Sequence, residues 1–204
     1  MKQILKNGIL FMLFALLSWQ SVSAQQRSSL TRGTEAPEIV AKDTLGVEHR
    51  LSSLRGMWVV VDFWASWCGD CRREIPELKK VYQDYGCCYA CQNGKETKGC
   101  KCHTAEDAIC GCASTGIAFL SLSMDTDAKA WKNCLRKEQF PWLQLSNLEP
   151  WKESKITKAY DVHWLPTMFL IDPNGKIVCD VLTAKELREK LAEMREMIQL
   201  RDSK

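Results

Sequence analysis

The most constraining feature of this chain is a junction. A continuous apolar run, Trp58-Val59-Val60-Val61-Asp62-Phe63-Trp64, ends four residues before Cys68, and beyond Cys71 the residues Ile75, Leu78, Val81, Tyr82 and Tyr85 recur at helical spacing. A run so rich in β-branched and aromatic residues predicts a strand buried on both faces, and the spacing that follows predicts an amphipathic helix over residues 71–85, with Pro76 expected to kink it. The pair Cys68 and Cys71, in Trp-Cys-Gly-Asp-Cys, sits where the strand becomes the helix. A second apolar run at 117–124 and a helical pattern at 126–139, with Trp131, Cys134 and Leu135 on one side, repeat the alternation. Strand, helix, strand, helix predicts an α/β fold with parallel βαβ organisation.

The remaining elements read as follows. Residues 47–51 alternate between Gly46 and Gly56, predicting short edge strands or a hairpin. A short helix is expected between Pro150 and Tyr160. Strands at 167–171 and 176–181 flank Asp172-Pro173-Asn174-Gly175, strong turn chemistry for an antiparallel hairpin. A last helix begins at Thr183 with Glu186 three residues on, the spacing of a capping box, and carries Leu187, Leu191, Met194 and Ile198 on one face.

The amino terminus reads as a targeting segment. Lys2 and Lys6 precede an apolar run from Ile9 to Leu17, and Ser21-Val22-Ser23-Ala24 supplies small residues for cleavage. The run is shorter than the roughly 20 residues a membrane-spanning helix needs, so residues 1–24 are expected to be a cleaved signal peptide. Residues 25–32 form a polar linker, and one domain over 33–200 is expected. Without Lys2 and Lys6 the basic and acidic groups nearly balance, which gives no basis for binding nucleic acid. An exported chain, in the periplasm or beyond, can form disulfides, and all eleven cysteines lie after the signal peptide.

The placement of Cys68 and Cys71 has a chemical purpose. Unpaired amides and the dipole at a helix amino terminus stabilise a thiolate at the first cysteine, and two intervening residues put the second sulfur within bonding range. Cys68 can attack a partner disulfide and Cys71 can resolve the mixed disulfide. The competing reading, half of a structural zinc site, needs a further pair of ligands.

Such ligands exist in residues 86–116, which break every pattern and carry Cys87, Cys88, Cys91, Cys100, Cys102, Cys110 and Cys112 with few aliphatic residues. This segment reads as an insertion within the domain, too poor in apolar residues to build a core. Three readings stand: disulfide staples, a thiolate site for zinc or copper(I) that could include His103, and a second redox relay exchanging with Cys68. A metal-binding or metal-delivery protein is therefore the alternative to an oxidoreductase. Cys134 and Cys179, at apolar positions, are expected to be buried inert thiols. His49 and His163 show no ligand spacing.

The segment Val61-Asp62-Phe63-Trp64-Ala65-Ser66-Trp67-Cys68-Gly69-Asp70-Cys71 resembles the active-site segment of thioredoxins, and above all the exported TlpA/ResA-like branch. Gly33-Thr34-Glu35-Ala36-Pro37 resembles the entry segment of that branch, and Tyr160-Asp161-Val162-His163-Trp164-Leu165-Pro166-Thr167 its cis-proline loop. The resemblance implies a thioredoxin-like fold, a central mixed sheet flanked by helices, and protein-disulfide exchange without an organic cofactor. It implies a role for Asp62 as the buried acid that moves a proton to or from Cys71, and for Pro166 as the cis-proline facing the sulfurs. Trp67 and Leu165 would then meet the substrate, and Pro76 would bend the helix. Glu74 matches an acid of the ResA-like branch, although a solvated helix residue reads equally well. Asp70, where proline often stands, should disfavour the Cys68 thiolate and lean the centre toward reduction. The partners implied are exported clients with disulfides or thiols and a membrane or periplasmic electron donor, with the chain acting as a monomer. The paired cysteines argue against a peroxidase of the peroxiredoxin class.

Overall fold

The computed structural model describes residues 27–86 and 117–202, so the signal segment and the cysteines at 87–112 lie outside the described residues. Seven strands form one mixed sheet in the order β2-β1-β5-β4-β3-β6-β7. These are β1 (Val40–Lys42), β2 (Glu48–Arg50), β3 (Trp58–Trp64), β4 (Ile117–Ser123), β5 (Leu143–Ser146), β6 (Thr167–Ile171) and β7 (Ile177–Val181). The helices are α1 (Gly69–Tyr85), α2 (Ala128–Glu138), α3 (Lys155–Ala159) and α4 (Ala184–Asp202). β3, β4 and β5 run parallel, while β6 is antiparallel to β3 and β7 to β6. Among the described residues no helix is long and apolar enough to cross a membrane.

Strand alternation sorts the core onto two faces. Val59, Val61 and Phe63 of β3 join Leu120, Leu122 and Leu145 against Trp131 of α2 and Tyr160 just beyond α3. Val60, Phe119, Met168 and Leu170 point the other way, against Leu78 and Val81 of α1 and Leu187, Leu191 and Met194 of α4. Each such aliphatic side chain contributes about 1.5–3 kcal/mol on leaving water, so the apolar runs at 58–64 and 117–123 dominate the fold. Arg188 of α4 bonds Glu77 and Asp84 of α1, which fixes the two helices side by side.

The turn at 172–175 closes as its chemistry demands. Gly175 stands at φ +81, where a side chain is strained, and an added Cβ would run into the Arg55 guanidinium. At α4, the Thr183 hydroxyl accepts from the Glu186 amide, and the Glu186 carboxylate reaches back to the Leu182 amide rather than to Thr183 itself.

Several features depart from expectation. β5 was not anticipated: Leu-Gln-Leu-Ser has only four residues, all of them buried, so no alternation marks it. α1 starts at Gly69 instead of Cys71, because Cys68 supplies the cap. Cys134 and Cys179 are half-buried instead of buried, each at the margin of a core cluster. Burial still pushes both thiols up, which keeps them protonated at neutral pH.

Candidate active site

The site forms at the carboxyl end of β3. Ala65, Ser66 and Trp67 lead from the strand to Cys68, whose extended backbone (φ −77, ψ 110) makes it the N-cap of α1. The Cys71 amide donates to Cys68 Sγ at 3.1 Å. A sulfur in that position takes the place of the usual N-cap oxygen, and a thiolate there receives an amide hydrogen bond and the helix dipole together. Cys68 and Cys71 are joined as a disulfide with their Cα atoms 5.3 Å apart. Asp70, in the first turn, is ion-paired with Arg73.

Facing the sulfurs is the loop before β6. The Leu165–Pro166 peptide bond is cis, and Cys68 Sγ lies 3.6 Å from the Leu165 carbonyl oxygen. The Thr167 hydroxyl donates to the Trp164 carbonyl at 2.8 Å and holds the loop closed. Leu165 is buried, whereas Trp67 and Trp164 are 58% and 42% exposed. Each indole is one residue from an atom of the Cys68–Leu165 contact, giving the sulfurs an aromatic border. Trp64, by contrast, is core.

Beneath this surface lie two buried carboxylates. Asp62, 4% exposed, accepts from the Ser121 hydroxyl at 2.8 Å. Burial pushes its pKa up to about 7, against the opposing pull of that hydrogen bond. Asp125, 1% exposed, accepts from the Ser66 amide at 2.9 Å, the Ser66 hydroxyl at 2.5 Å and the Ser123 hydroxyl at 2.6 Å. With the Met124 amide donating to the Trp64 carbonyl, the end of β4 is stitched to the loop that carries Cys68.

Trp67, Cys68, Cys71, Leu165 and Pro166 thus gather beyond the carboxyl end of β3, and Asp62 lies within that strand, two residues before its end. Glu74 is engaged elsewhere: its Oε2 accepts from the Ala184 amide at 2.7 Å and caps the start of α4. The candidate metal ligands Cys87, Cys88, Cys91, Cys100, Cys102, His103, Cys110 and Cys112 lie outside the described residues. Sequence reasoning missed Ser66, Asp125 and Ser121, and with Ser121 the Trp142 indole that donates to its hydroxyl. The only signal available was an acid directly after the apolar run at 117–124.

This geometry has relatives. A family model described as Thioredoxin-like matches residues 56–177, from before β3 to the start of β7. The chain belongs to the Thioredoxin-like family. It is 28% identical over 178 residues to the thiol-disulfide oxidoreductase ResA of Bacillus subtilis, covering 85% of this chain and 81% of that protein. The thioredoxin domain of a thiol-disulfide oxidoreductase from Bacteroides vulgatus superposes with a TM-score of 0.62 at 25% identity, covering 81% of this chain and 99% of the other. A thiol:disulfide interchange protein from a Bacteroides species gives 0.61 at 25% identity, covering 81% and 90%. The fold is thioredoxin-like, with a mixed sheet flanked by helices. The Thioredoxin-like chain is a protein-disulfide oxidoreductase of this type, and Cys68 and Cys71 are its close cysteine pair.

Proposed function

We propose that this chain works outside the cytoplasm as a reductant of disulfides in other exported proteins, through its Cys68-Gly69-Asp70-Cys71 centre. The Cys68 thiolate attacks a client disulfide, a mixed disulfide forms, and one client thiolate leaves. Cys71 then gives its proton to the Asp62 carboxylate and attacks Cys68, releasing the second client thiolate and leaving the Cys68–Cys71 disulfide. Two electrons have moved to the client, and a dithiol donor at the membrane or in the same compartment returns the centre to its reduced form. No organic cofactor is required.

The observation that carries this reading is the position of Cys68 Sγ. It accepts the Cys71 amide at 3.1 Å and lies 3.6 Å from the Leu165 carbonyl beside cis Pro166. An extended client backbone alongside Leu165 would bring its own sulfur to Cys68. The leader-like residues 1–24 support export, and Asp70 supports the reductive direction, since a carboxylate between the cysteines disfavours the thiolate. Insulin reduction with dithiothreitol as electron source tests the reading: Cys68→Ser should fall to the rate of dithiothreitol alone. Full activity in that variant would overturn the assignment.

A further inference from the structure

A polar row crosses the apolar middle of β3 and its neighbours. Asp62, Ser121 and Gln144 stand side by side on β3, β4 and β5, all buried. Next to the row, Trp142 Nε1 donates to Ser121 Oγ at 2.8 Å, and Ser121 Oγ donates to Asp62 Oδ2 at 2.8 Å. An indole nitrogen can only donate, so its bond takes up a lone pair of the hydroxyl and leaves the hydroxyl hydrogen for the carboxylate. The indole is itself fixed, with Tyr82, Phe140 and Phe119 ring centroids 5.2, 5.4 and 5.7 Å away.

We propose that Ser121 and Trp142 are positioning residues for Asp62: the indole orients the hydroxyl to donate to the carboxylate, which keeps the ionised acid accessible in a site where burial favours the proton. This rests on the reading of Asp62 as acceptor of the Cys71 proton. An acid that held its proton through neutral pH could not take one from Cys71. One that lost it easily could not return it in the reverse step.

No charged side chain competes for this role among the described residues. β4 and β6 carry none, and β5 contributes neutral Gln144, whose amide atoms find no partner there. On α1, Asp70 pairs with Arg73, Glu74 bonds the Ala184 amide, Glu77 and Asp84 meet Arg188, Lys80 meets Glu77, and Lys79 reaches Glu138. Arg72 is exposed. On α4, besides Arg188, Glu186 caps its own helix, Lys185 meets Glu189, Lys190 meets Glu193, and Arg195 lies over Tyr85. Burial, which favours the proton, and the Ser121 hydrogen bond, which favours the carboxylate, act on Asp62 in opposite directions.

The test follows the Asp62 carboxyl carbon by NMR against pH in the oxidised full chain, beside the pH profile of mixed-disulfide resolution. Ser121→Ala should raise the Asp62 midpoint by about one pH unit, a tenfold loss of ionised acid at a given pH below the midpoint. The resolution profile should move to higher pH with it. Trp142→Phe keeps a ring in the aromatic cluster and should move both in the same direction by less. It also provides the measurement should Ser121→Ala fold poorly. An unmoved midpoint in both variants would overturn the inference. Asp62→Asn tests the underlying reading separately: a resolution profile unchanged in that variant would remove Asp62 from the reaction, whatever Ser121 does to its titration.

Discussion

Asp62 and Asp125 are the same residue type and both buried, one two residues before the end of β3 and the other two residues past the end of β4, yet their hydrogen bonds differ. Among the described residues, Asp125 receives three donors from Ser66 and Ser123, and Asp62 receives one. A buried carboxylate with several donors is a fastening, here between the end of β4 and the loop leading to Cys68. One with a single donor is held between its two forms, because burial pushes it up to about 7 against the pull of that one hydrogen bond. Its incomplete solvation suits it to take and release a proton. The number of hydrogen bonds, rather than depth, separates the two acids.

The largest effect that would sharpen this contrast comes from Asp62→Asn. Asp62 is raised in the folded chain from 3.8 to about 7. Its contribution to stability is therefore fully present below pH 4, lost as pH rises toward 7, and gone above. Comparing the variant with the parent by urea unfolding at pH 4 and pH 8 removes the other titrating groups. The parent should lose on the order of 4 kcal/mol relative to the variant between those values. An equal difference at both pH values would break the contrast by making Asp62 an ordinary bonded acid. The same variant should resolve mixed disulfides slowly, with accumulation of the adduct visible by intact-mass measurement.

Next in size is Asp125→Ala, which strands the Ser66 amide and two hydroxyls. Unfolding at pH 7 should register a loss of about 3 kcal/mol, with faster amide exchange at Ser66. A variant as stable as the parent would mean that the serines find other acceptors and that the clamp is incidental. Smaller again is the aromatic border. Trp67→Ala and Trp164→Ala should each raise KM for a protein disulfide about fivefold with little change in kcat, because they remove contact area and leave the sulfurs in place. A fall in kcat at constant KM would place these indoles in the chemistry instead. The smallest effect is at Asp70, exposed and paired with Arg73. Asp70→Asn should make the centre more oxidising in a glutathione titration by no more than about 30 mV, a tenfold change in the equilibrium.

The contrast also marks what a sequence can and cannot reveal. Asp62 was legible because a lone acid inside an apolar run stands out, and Cys68 and Cys71 because a strand-to-helix junction places them. Ser121 and Trp142 were not, since their tie to Asp62 depends on the parallel register that sets Asp62 beside Ser121, 59 residues away. Asp125 reads locally as a loop acid; its partner Ser66 is equally distant in sequence. Glu74 illustrates the same limit from the other side. Its spacing from Cys71 suggested catalysis or solvent, while its partner is an amide 110 residues on. The helix start at Gly69 was hidden because sulfur is not a usual cap, and β5 because four buried residues carry no period.

The most direct test of the central claim is the site of attack. Cys71→Ser, reduced and mixed with insulin, should form a stable adduct, and peptide mapping of that adduct identifies the sulfur that engaged the client. The predicted result is a single linkage from insulin to Cys68. Linkage through Cys134, Cys179 or any cysteine of residues 87–112, or no adduct at all, would contradict the account.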